Sequence, residues 1–144
     1  MRLLAFLQEN SPTSAAALKE FSRADYLSRQ RRNTEAIPQF LAVIERNPQA
    51  LLVDDALMNV GRLQTQAGLY NDAVATFERL LTQFAGTSIA LDKAQFSIGE
   101  IYQYRLNDKA AAITAYEKLL ANFPQSLLST EARKRIREMR GDSL

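Results

Sequence analysis

The sequence predicts an all-α fold in which similar helix pairs stack into a solenoid. Four segments begin with a large apolar residue, Leu3, Phe40, Phe77 and Tyr116, and these leading positions lie 37, 37 and 39 residues apart. Apolar residues then recur at helical spacing, of the i, i+3, i+4, i+7 type. Only 5 Gly and 4 Pro occur in 144 residues, which favours helices with short connections. A recurrence at this period is typical of stacked repeats rather than of a single globular core.

The repeats predict the order of the elements along the chain. We expect one domain, residues 1–140, followed by a short tail, residues 141–144. Its parts are, in order, an orphan second helix (1–12), three helix pairs (14–48, 54–85 and 92–124) and a capping helix (127–140). Because the chain opens in the middle of a repeat, we interpret it as a piece of a longer protein. The alternative is that the opening helix is a natural cap lying across the first pair.

A small residue lies near the middle of the first helix of each pair and explains how the two helices can pack closely. Ala24, Gly61 and Gly99 lie 37 and 38 residues apart. Glycine inside a helix costs about 0.5–1 kcal/mol relative to alanine, so its use indicates a contact that a methyl group would crowd. The second helices supply facing small residues at Ala36, Ala73 and Ala112.

The last predicted helix has the composition of a polar cap. Ser126 is placed to N-cap it, and Glu131 lies early in the helix, which suits the helix dipole. The late positions are basic, and they are Arg133, Lys134, Arg135, Arg137 and Arg140. We interpret this basic run as a solvated face; the alternative is a surface for acidic lipid, nucleic acid or an acidic protein.

Composition excludes several classes of function. The chain has no Cys and no His, which excludes disulfide scaffolds, thiolate chemistry and nucleophile–histidine arrangements. Its acidic residues show no paired-carboxylate spacing, and there is no glycine-rich phosphate loop. We therefore expect no enzyme, no catalytic or metal-binding residues and no cofactor. A net charge of +2 gives no reason to expect nucleic acid, and no apolar run is long enough for a membrane span.

The detailed spacing resembles the tetratricopeptide repeat. In the second pair the pattern consists of Gly61, Gly68, Tyr70, Ala73 and Phe77, and in the third of Gly99, Tyr102, Ala112, Tyr116 and Pro124. The first pair, with Ala24, Ala36, Phe40 and Pro48, is the most degenerate. The resemblance covers nearly the whole chain and implies a right-handed α-solenoid.

Two loop sequences are similar to those of a bacterial cell-envelope subclass of this family. They are Phe84-Ala85-Gly86-Thr87-Ser88 and Phe123-Pro124-Gln125-Ser126. The subclass includes the lipoprotein of the outer-membrane protein assembly machine and the periplasmic partner of the Tol–Pal system. The resemblance implies a module of a larger envelope-associated protein, and a periplasmic location if that protein is exported.

In this family the first helices line a concave groove that holds a partner segment, so the resemblance implies a protein or peptide partner. The positions carried over are Phe21, Asp25, Arg29, Asp55, Met58, Asn59, Arg62, Lys93, Phe96, Glu100 and Tyr104. Chaperone-binding members bind a C-terminal carboxylate at such positions, but Asp25 would repel it and we do not expect that mode.

Two alternative functions remain open. The chain could mediate homo-oligomerisation through the opening helix, or it could be a regulatory domain fused to an enzyme.

Overall fold

The computed structural model describes residues 12–29, 33–46, 53–85 and 91–141, and all regular secondary structure in these segments is helical. Seven helices occur there: α1 (Pro12–Arg29), α2 (Asn33–Arg46), α3 (Val53–Gln66), α4 (Tyr70–Gln83), α5 (Leu91–Tyr104), α6 (Lys109–Asn122) and α7 (Ser129–Arg140). Within these segments no strand occurs, so the predicted all-α fold class is confirmed. The opening helix predicted at residues 1–12 lies outside the described residues, apart from Pro12, and so does most of the tail.

The chain forms two compact units. Unit 1 comprises Met1–Leu69, with α1, α2 and α3, and unit 2 comprises Tyr70–Leu144, with α4 to α7. The division falls inside the second predicted repeat, in the turn between α3 and α4.

In unit 1, α1 packs on α2 and α2 packs on α3. Ala24 and Ala36 are fully buried, as the small-residue pattern predicts. Phe40 is also fully buried, and the ring of Phe21 meets it edge-on with 5.4 Å between the ring centroids. An edge-to-face pair of this kind contributes about 0.5–1.5 kcal/mol beyond its buried area. The two small residues therefore bring α1 and α2 together where two large rings fill the remaining space.

Helix α3 ends in a turn that requires glycine. Gly68 has a φ of +80°, a backbone conformation that residues with a β-carbon rarely adopt. The amide of Leu69 donates to the carbonyl of Gln64 at 2.8 Å, and the amide of Gly68 donates to that of Thr65 at 3.2 Å. These two bonds satisfy carbonyls that the end of the helix leaves without partners, in the manner of a Schellman motif.

In unit 2, α5 packs between α4 and α6, and α6 also packs on α7. Gly99 and Ala112 are buried where α5 meets α6. A β-carbon added at Gly99 would lie 2.5 Å from Cε1 of Tyr116, closer than any real contact. The α6–α7 side is filled by Tyr116, Leu119, Ala132 and Ile136. The predicted role of Gly99 as a close-contact residue is therefore confirmed.

Helix α6 begins with a side-chain cap at Asp108. Its Oδ1 accepts a hydrogen bond from the amide of Ala111 at 3.0 Å. This bond satisfies one of the first amides of the helix. The preceding residue, Asn107, has a φ of +53°, a conformation that Asn tolerates better than most residues. Asn107 and Asp108 thus form the end of the turn that leads into α6.

The predicted N-cap at Ser126 is wrong. Helix α7 begins at Ser129, and the preceding Leu128 makes no side-chain cap. The Ser126 hydroxyl instead donates to Oδ2 of Asp92 at 2.6 Å and accepts from the amide of Leu128 at 3.1 Å. Ser126 therefore ties the loop before α7 to the first turn of α5. Helix α7 starts three residues after Ser126.

Candidate partner-binding surfaces

The predicted partner-binding residues lie on three first-helix faces. We name these the α1 face (Phe21, Asp25 and Arg29), the α3 face (Asp55, Met58, Asn59 and Arg62) and the α5 face (Lys93, Phe96, Glu100 and Tyr104). The α1 and α3 faces belong to unit 1, and the α5 face belongs to unit 2.

The α1 face is largely a packing surface within unit 1. Phe21 is only 8% exposed and lies against Phe40, which corrects the expectation that it presents an accessible ring. Asp25, one turn further along α1, is half-buried. Arg29 is the last residue of α1, and its side chain lies outside the described part of the chain.

The α3 face carries a row of polar side chains held by hydrogen bonds. Nδ2 of Asn59 donates to the backbone carbonyl of Asp55 at 3.0 Å, and Nη2 of Arg62 donates to Oδ1 of Asn59 at 3.0 Å. Met58 lies beside Asn59 and is half-buried. Since spacings of three and four residues place side chains on one helix face, Met58 provides an apolar position next to ordered polar groups.

The α5 face combines one buried ring with exposed groups. Phe96 is 8% exposed and packs against Tyr116, with 5.3 Å between their ring centroids, so it too is a packing residue rather than an accessible anchor. Tyr104 is 58% exposed, Lys93 is exposed and Glu100 is half-buried. A partner approaching α5 would therefore meet Lys93, Glu100 and Tyr104.

Arg135 of α7 organises the α5 face. Its Nη1 donates to Oε2 of Glu100 at 2.9 Å and to the hydroxyl of Tyr116 at 3.1 Å. Its Nε donates to Oε1 of Glu131 at 3.0 Å. The guanidinium carbon lies 4.8 Å from the Phe96 ring centroid and 5.5 Å from that of Tyr104. The side chain is only 16% exposed, so charge-assisted hydrogen bonds and ring contacts hold its cation in one place.

Two groups of this cluster, Tyr116 and Arg135, have shifted pKa values. Burial raises the pKa of Tyr116 to about 12, although the adjacent Arg135 opposes the shift. Burial alone would lower the pKa of Arg135, but hydrogen bonds to Tyr116, Glu100 and Glu131 outweigh it and the pKa is raised. At neutral pH Tyr116 is therefore a phenol, whose hydroxyl donates to Oε1 of Gln103 at 2.8 Å, and Arg135 is a permanent cation.

Sequence reasoning assigned Arg135 to a solvated basic run and missed its role. The pair Glu131 and Arg135, four residues apart on α7, was a usable local signal for one contact. The contacts to Glu100 and Tyr116 join residues 35 and 19 positions away, which no local spacing indicates. Arg140 is also engaged, in an exposed ion pair with Glu117 at 3.1 Å.

The described residues of the α3 and α5 faces supply groups suited to recognition. Within the segments that the structure describes, no three His, Cys, Asp or Glu side chains lie close enough to hold a metal ion. None of the helices in those segments combines the length and apolar character needed to cross a membrane. What the α3 and α5 faces offer is fixed charges, an ordered amide and solvent-accessible apolar groups.

Comparison with known proteins agrees with this architecture. Two family models, both described as tetratricopeptide repeat, match residues 21–87 and 93–126. The sequence has no match among curated proteins. The structure is similar to the TPR2AB domain of yeast Sti1 in its pHSP90 complex, with 22% identity, a TM-score of 0.70, and coverage of 88% of this chain and 48% of that one. It is also similar to PcrH from Pseudomonas aeruginosa, with 14% identity, a TM-score of 0.68, and coverage of 94% and 98%.

The chain thus spans about half of the Sti1 structure and nearly all of PcrH. At these identities the likeness establishes the fold, and the sequence matches identify the repeat from which that fold is built.

Proposed function

The chain is built from tetratricopeptide repeats, and on that premise we propose that it is a protein-interaction module that binds an extended segment of a partner protein. Two first-helix surfaces have accessible polar and apolar groups that suit such a segment, the α3 face in unit 1 and the α5 face in unit 2, and each is proposed as a contact surface by itself. The Sti1 relative was solved as a complex with pHSP90, which supports a protein as the kind of partner.

One observation carries the proposal, namely that the same layout recurs in both units. In unit 1 the half-buried Met58 lies beside Asn59, whose amide is hydrogen-bonded on both sides. In unit 2 the exposed Tyr104 lies beside Arg135, whose guanidinium is fixed by three hydrogen bonds. Each face therefore pairs an accessible apolar anchor with a polar group that is already ordered, which reduces the entropy lost on binding.

The polar groups suit the main chain of an extended segment. Nη2 of Arg135 makes no hydrogen bond within the described part of the chain, and it is not fully buried there. It can donate to a partner carbonyl while the other guanidinium nitrogens hold it in place. Glu100 and Glu131 beside it disfavour a carboxylate, and Asp25 does so on α1. We therefore expect an internal segment with one or two apolar side chains rather than a free C-terminus.

The test is selection of random twelve-residue peptides on the immobilised chain, followed by measurement of affinity for the selected peptides by fluorescence anisotropy. Met58→Asp on the α3 face and Tyr104→Asp on the α5 face each place a charge on an accessible anchor. Each is expected to weaken, about tenfold or more, the binding of peptides that contact its own face. Phe96 is unsuitable for this test because a charge at a buried position would disrupt the fold of unit 2.

The matched controls make the same chemical change away from the two faces. Leu69→Asp in unit 1 and Leu127→Asp in unit 2 alter exposed leucines and should leave the affinity unchanged. Equal losses in the controls and the face variants would contradict the proposal, as would selected peptides that bind all five proteins alike.

A narrower proposal concerns the parent protein. The loop sequences around Phe84 and Phe123 support membership of the bacterial envelope subclass, and with it a periplasmic or envelope-associated protein. Fractionation of source cells, with an antibody raised against this chain, tests that assignment. Recovery with an envelope marker is the expected result, and recovery with a cytoplasmic marker would contradict it.

A further inference from the structure

A groove of about 650 Å³ opens in unit 2 between α4, α5 and α6. Leu81, Ile98 and Ala115 give it an apolar lining. Its α5 residues, Gln95, Ile98 and Tyr102, recur at spacings of three and four. They therefore lie on one side of that helix, opposite the α5 face. The groove is thus separate from the surfaces to which we assign the partner segment.

A buried amide in this groove has one atom without a partner. Gln95 is 5% exposed, and its Nε2 donates to the backbone carbonyl of Ala115 at 3.1 Å. A carbonyl can only accept, so the nitrogen of the amide must face Ala115 and the oxygen must point away from it. Within the described part of the chain that Oε1 accepts no hydrogen bond, and it is not fully enclosed. It is available to a donor placed in the groove.

The other polar groups that line the groove are also mostly acceptors. Glu78 and Asp108 carry negative charge at its rim, and Lys118 is the one cation among the lining residues. The Thr114 hydroxyl donates its hydrogen to the carbonyl of Ala110 at 3.0 Å, which leaves its oxygen free to accept. The groove therefore has a net negative rim and more acceptors than donors, which complements a cationic group rich in N–H donors.

The dimensions fit a chain segment better than an isolated ion. The wall formed by α6 runs from Ala110 to Lys118, a helical distance of about 12 Å and so the length of three or four extended residues. Glu78, Thr82, Ala110, Thr114 and Lys118 are all exposed, so the groove is accessible along both walls. The apolar lining suits the aliphatic stem of a long basic side chain.

We propose that this groove is a second docking site, which takes an arginine or lysine side chain presented by a segment of a partner protein. The stem lies on Leu81 and Ile98. The cationic head donates to Oε1 of Gln95 and pairs with the carboxylates of Glu78 and Asp108. This site extends the proposed function, because it binds on the side of α5 that the first segment leaves uncovered.

The experiment uses two acetylated pentapeptide amides, one with a central arginine between alanines and one with citrulline, its neutral isostere, in its place. Each is titrated into the labelled chain, while NMR follows the side-chain amide of Gln95 and the methyl groups of Ile98, Ala111 and Ala115. The arginine peptide is expected to shift these signals and to bind at least about fivefold more tightly than the citrulline peptide.

Variants test the chemistry of the groove. Glu78→Gln should weaken binding of the arginine peptide about two- to fivefold, the range for one exposed charge pair. Glu117→Gln is the matched control, since it makes the same change at an α6 residue that pairs with Arg140 of α7 and does not line the groove, and it should have no effect. Gln95→Leu should weaken binding by about fivefold or more, with circular dichroism to verify that the helices remain.

Several results would overturn the proposal. One is equal binding of the arginine and citrulline peptides. Another is the absence of any shift in the NMR signals of the groove at peptide concentrations up to about 10 mM. Shifts confined to Glu100 and Tyr104 would place the peptide on the α5 face instead. Free arginine amide that binds as tightly as the peptide would make this a site for small amines. Because Tyr104→Asp leaves the groove intact, loss of binding on the α5 face can be distinguished from loss of binding in the groove.

Discussion

Gly99 and Tyr116 show how one residue sets the distance between two helices. The Tyr116 ring occupies the space where a β-carbon of residue 99 would lie, and Tyr116 is fully buried. Its hydroxyl is held by Gln103 and Arg135, so the ring cannot swing aside without breaking two hydrogen bonds. The repeat spacing was enough to predict a close contact at Gly99, but the bonds that fix its partner became visible only in the structure.

We therefore expect Gly99→Ala to destabilise the chain although alanine is the better helix former. Overpacking costs about 1–3 kcal/mol and the gain in helix propensity returns at most about 1 kcal/mol. The net loss, roughly 1–2 kcal/mol, can be measured by urea unfolding. In a Tyr116→Leu background, where the ring is absent, the same substitution should cost less. An increase in stability on Gly99→Ala alone would show that the contact is looser than the structure indicates.

Tyr116 also makes stability depend on pH in the alkaline range. Its pKa is raised from 10.0 to about 12 in the folded chain, so the folded state holds the phenolic proton more tightly than the unfolded state. The resulting stabilisation is complete below pH 10 and is lost as the pH rises through about 12. For a fully buried group a shift of this size corresponds to roughly 2–3 kcal/mol.

The measurement is the free energy of unfolding of the parent and of Tyr116→Phe between pH 8 and pH 12, compared at each pH. The difference between the two proteins should shrink above about pH 10, because the variant has no phenol to titrate. Lysine residues titrate in the same range but are common to both proteins, so they cancel. A constant difference over the whole range would contradict the shifted pKa.

At the scale of elements, α7 has some features that follow from local sequence and others that depend on tertiary contacts. Its helical character and the acidic-to-basic order of its charges follow from local sequence. Its first residue does not, since the helix begins at Ser129 while the Ser126 hydroxyl, in the preceding loop, donates to Asp92 and accepts from the amide of Leu128. Arg135 looked like one member of a basic run, yet contacts with α5 and α6 remove it from solvent while Arg133 and Lys134 remain exposed.

This difference predicts different consequences for neighbouring arginines. Arg135→Gln removes ion pairs to Glu100 and Glu131 and leaves a buried phenol without its donor. It should destabilise unit 2 by about 1–3 kcal/mol. Arg133→Gln makes the same change on the exposed side of α7 and should stay within about 0.5 kcal/mol of the parent. Amide hydrogen exchange in α7 should accelerate only in the first variant, and similar exchange in both would mean that the Arg135 cluster does not anchor α7.

At the scale of the whole molecule, the repeat pattern predicted the all-helical fold class because helical spacing and a period near 38 residues are encoded locally. The accessible part of the binding surface was less predictable. Family positions marked Phe21 and Phe96 as groove residues, but both rings are covered within their own units. The groove beneath Gln95 was not predicted at all, since it is formed by side chains of three helices that are distant in sequence.

The division into two units leads to a prediction about folding. Unit 2 contains its own core, in which Tyr116, Leu119 and Ile136 are buried among α5, α6 and α7. We therefore expect the fragment of residues 70–144 to be helical by circular dichroism and to unfold cooperatively in urea, with a stability of a few kcal/mol. Leu119→Ala, which should cost about 2–5 kcal/mol, is expected to abolish this transition in the fragment. If the unsubstituted fragment lacks helical signal or melts without a transition, the core of unit 2 does not suffice for folding.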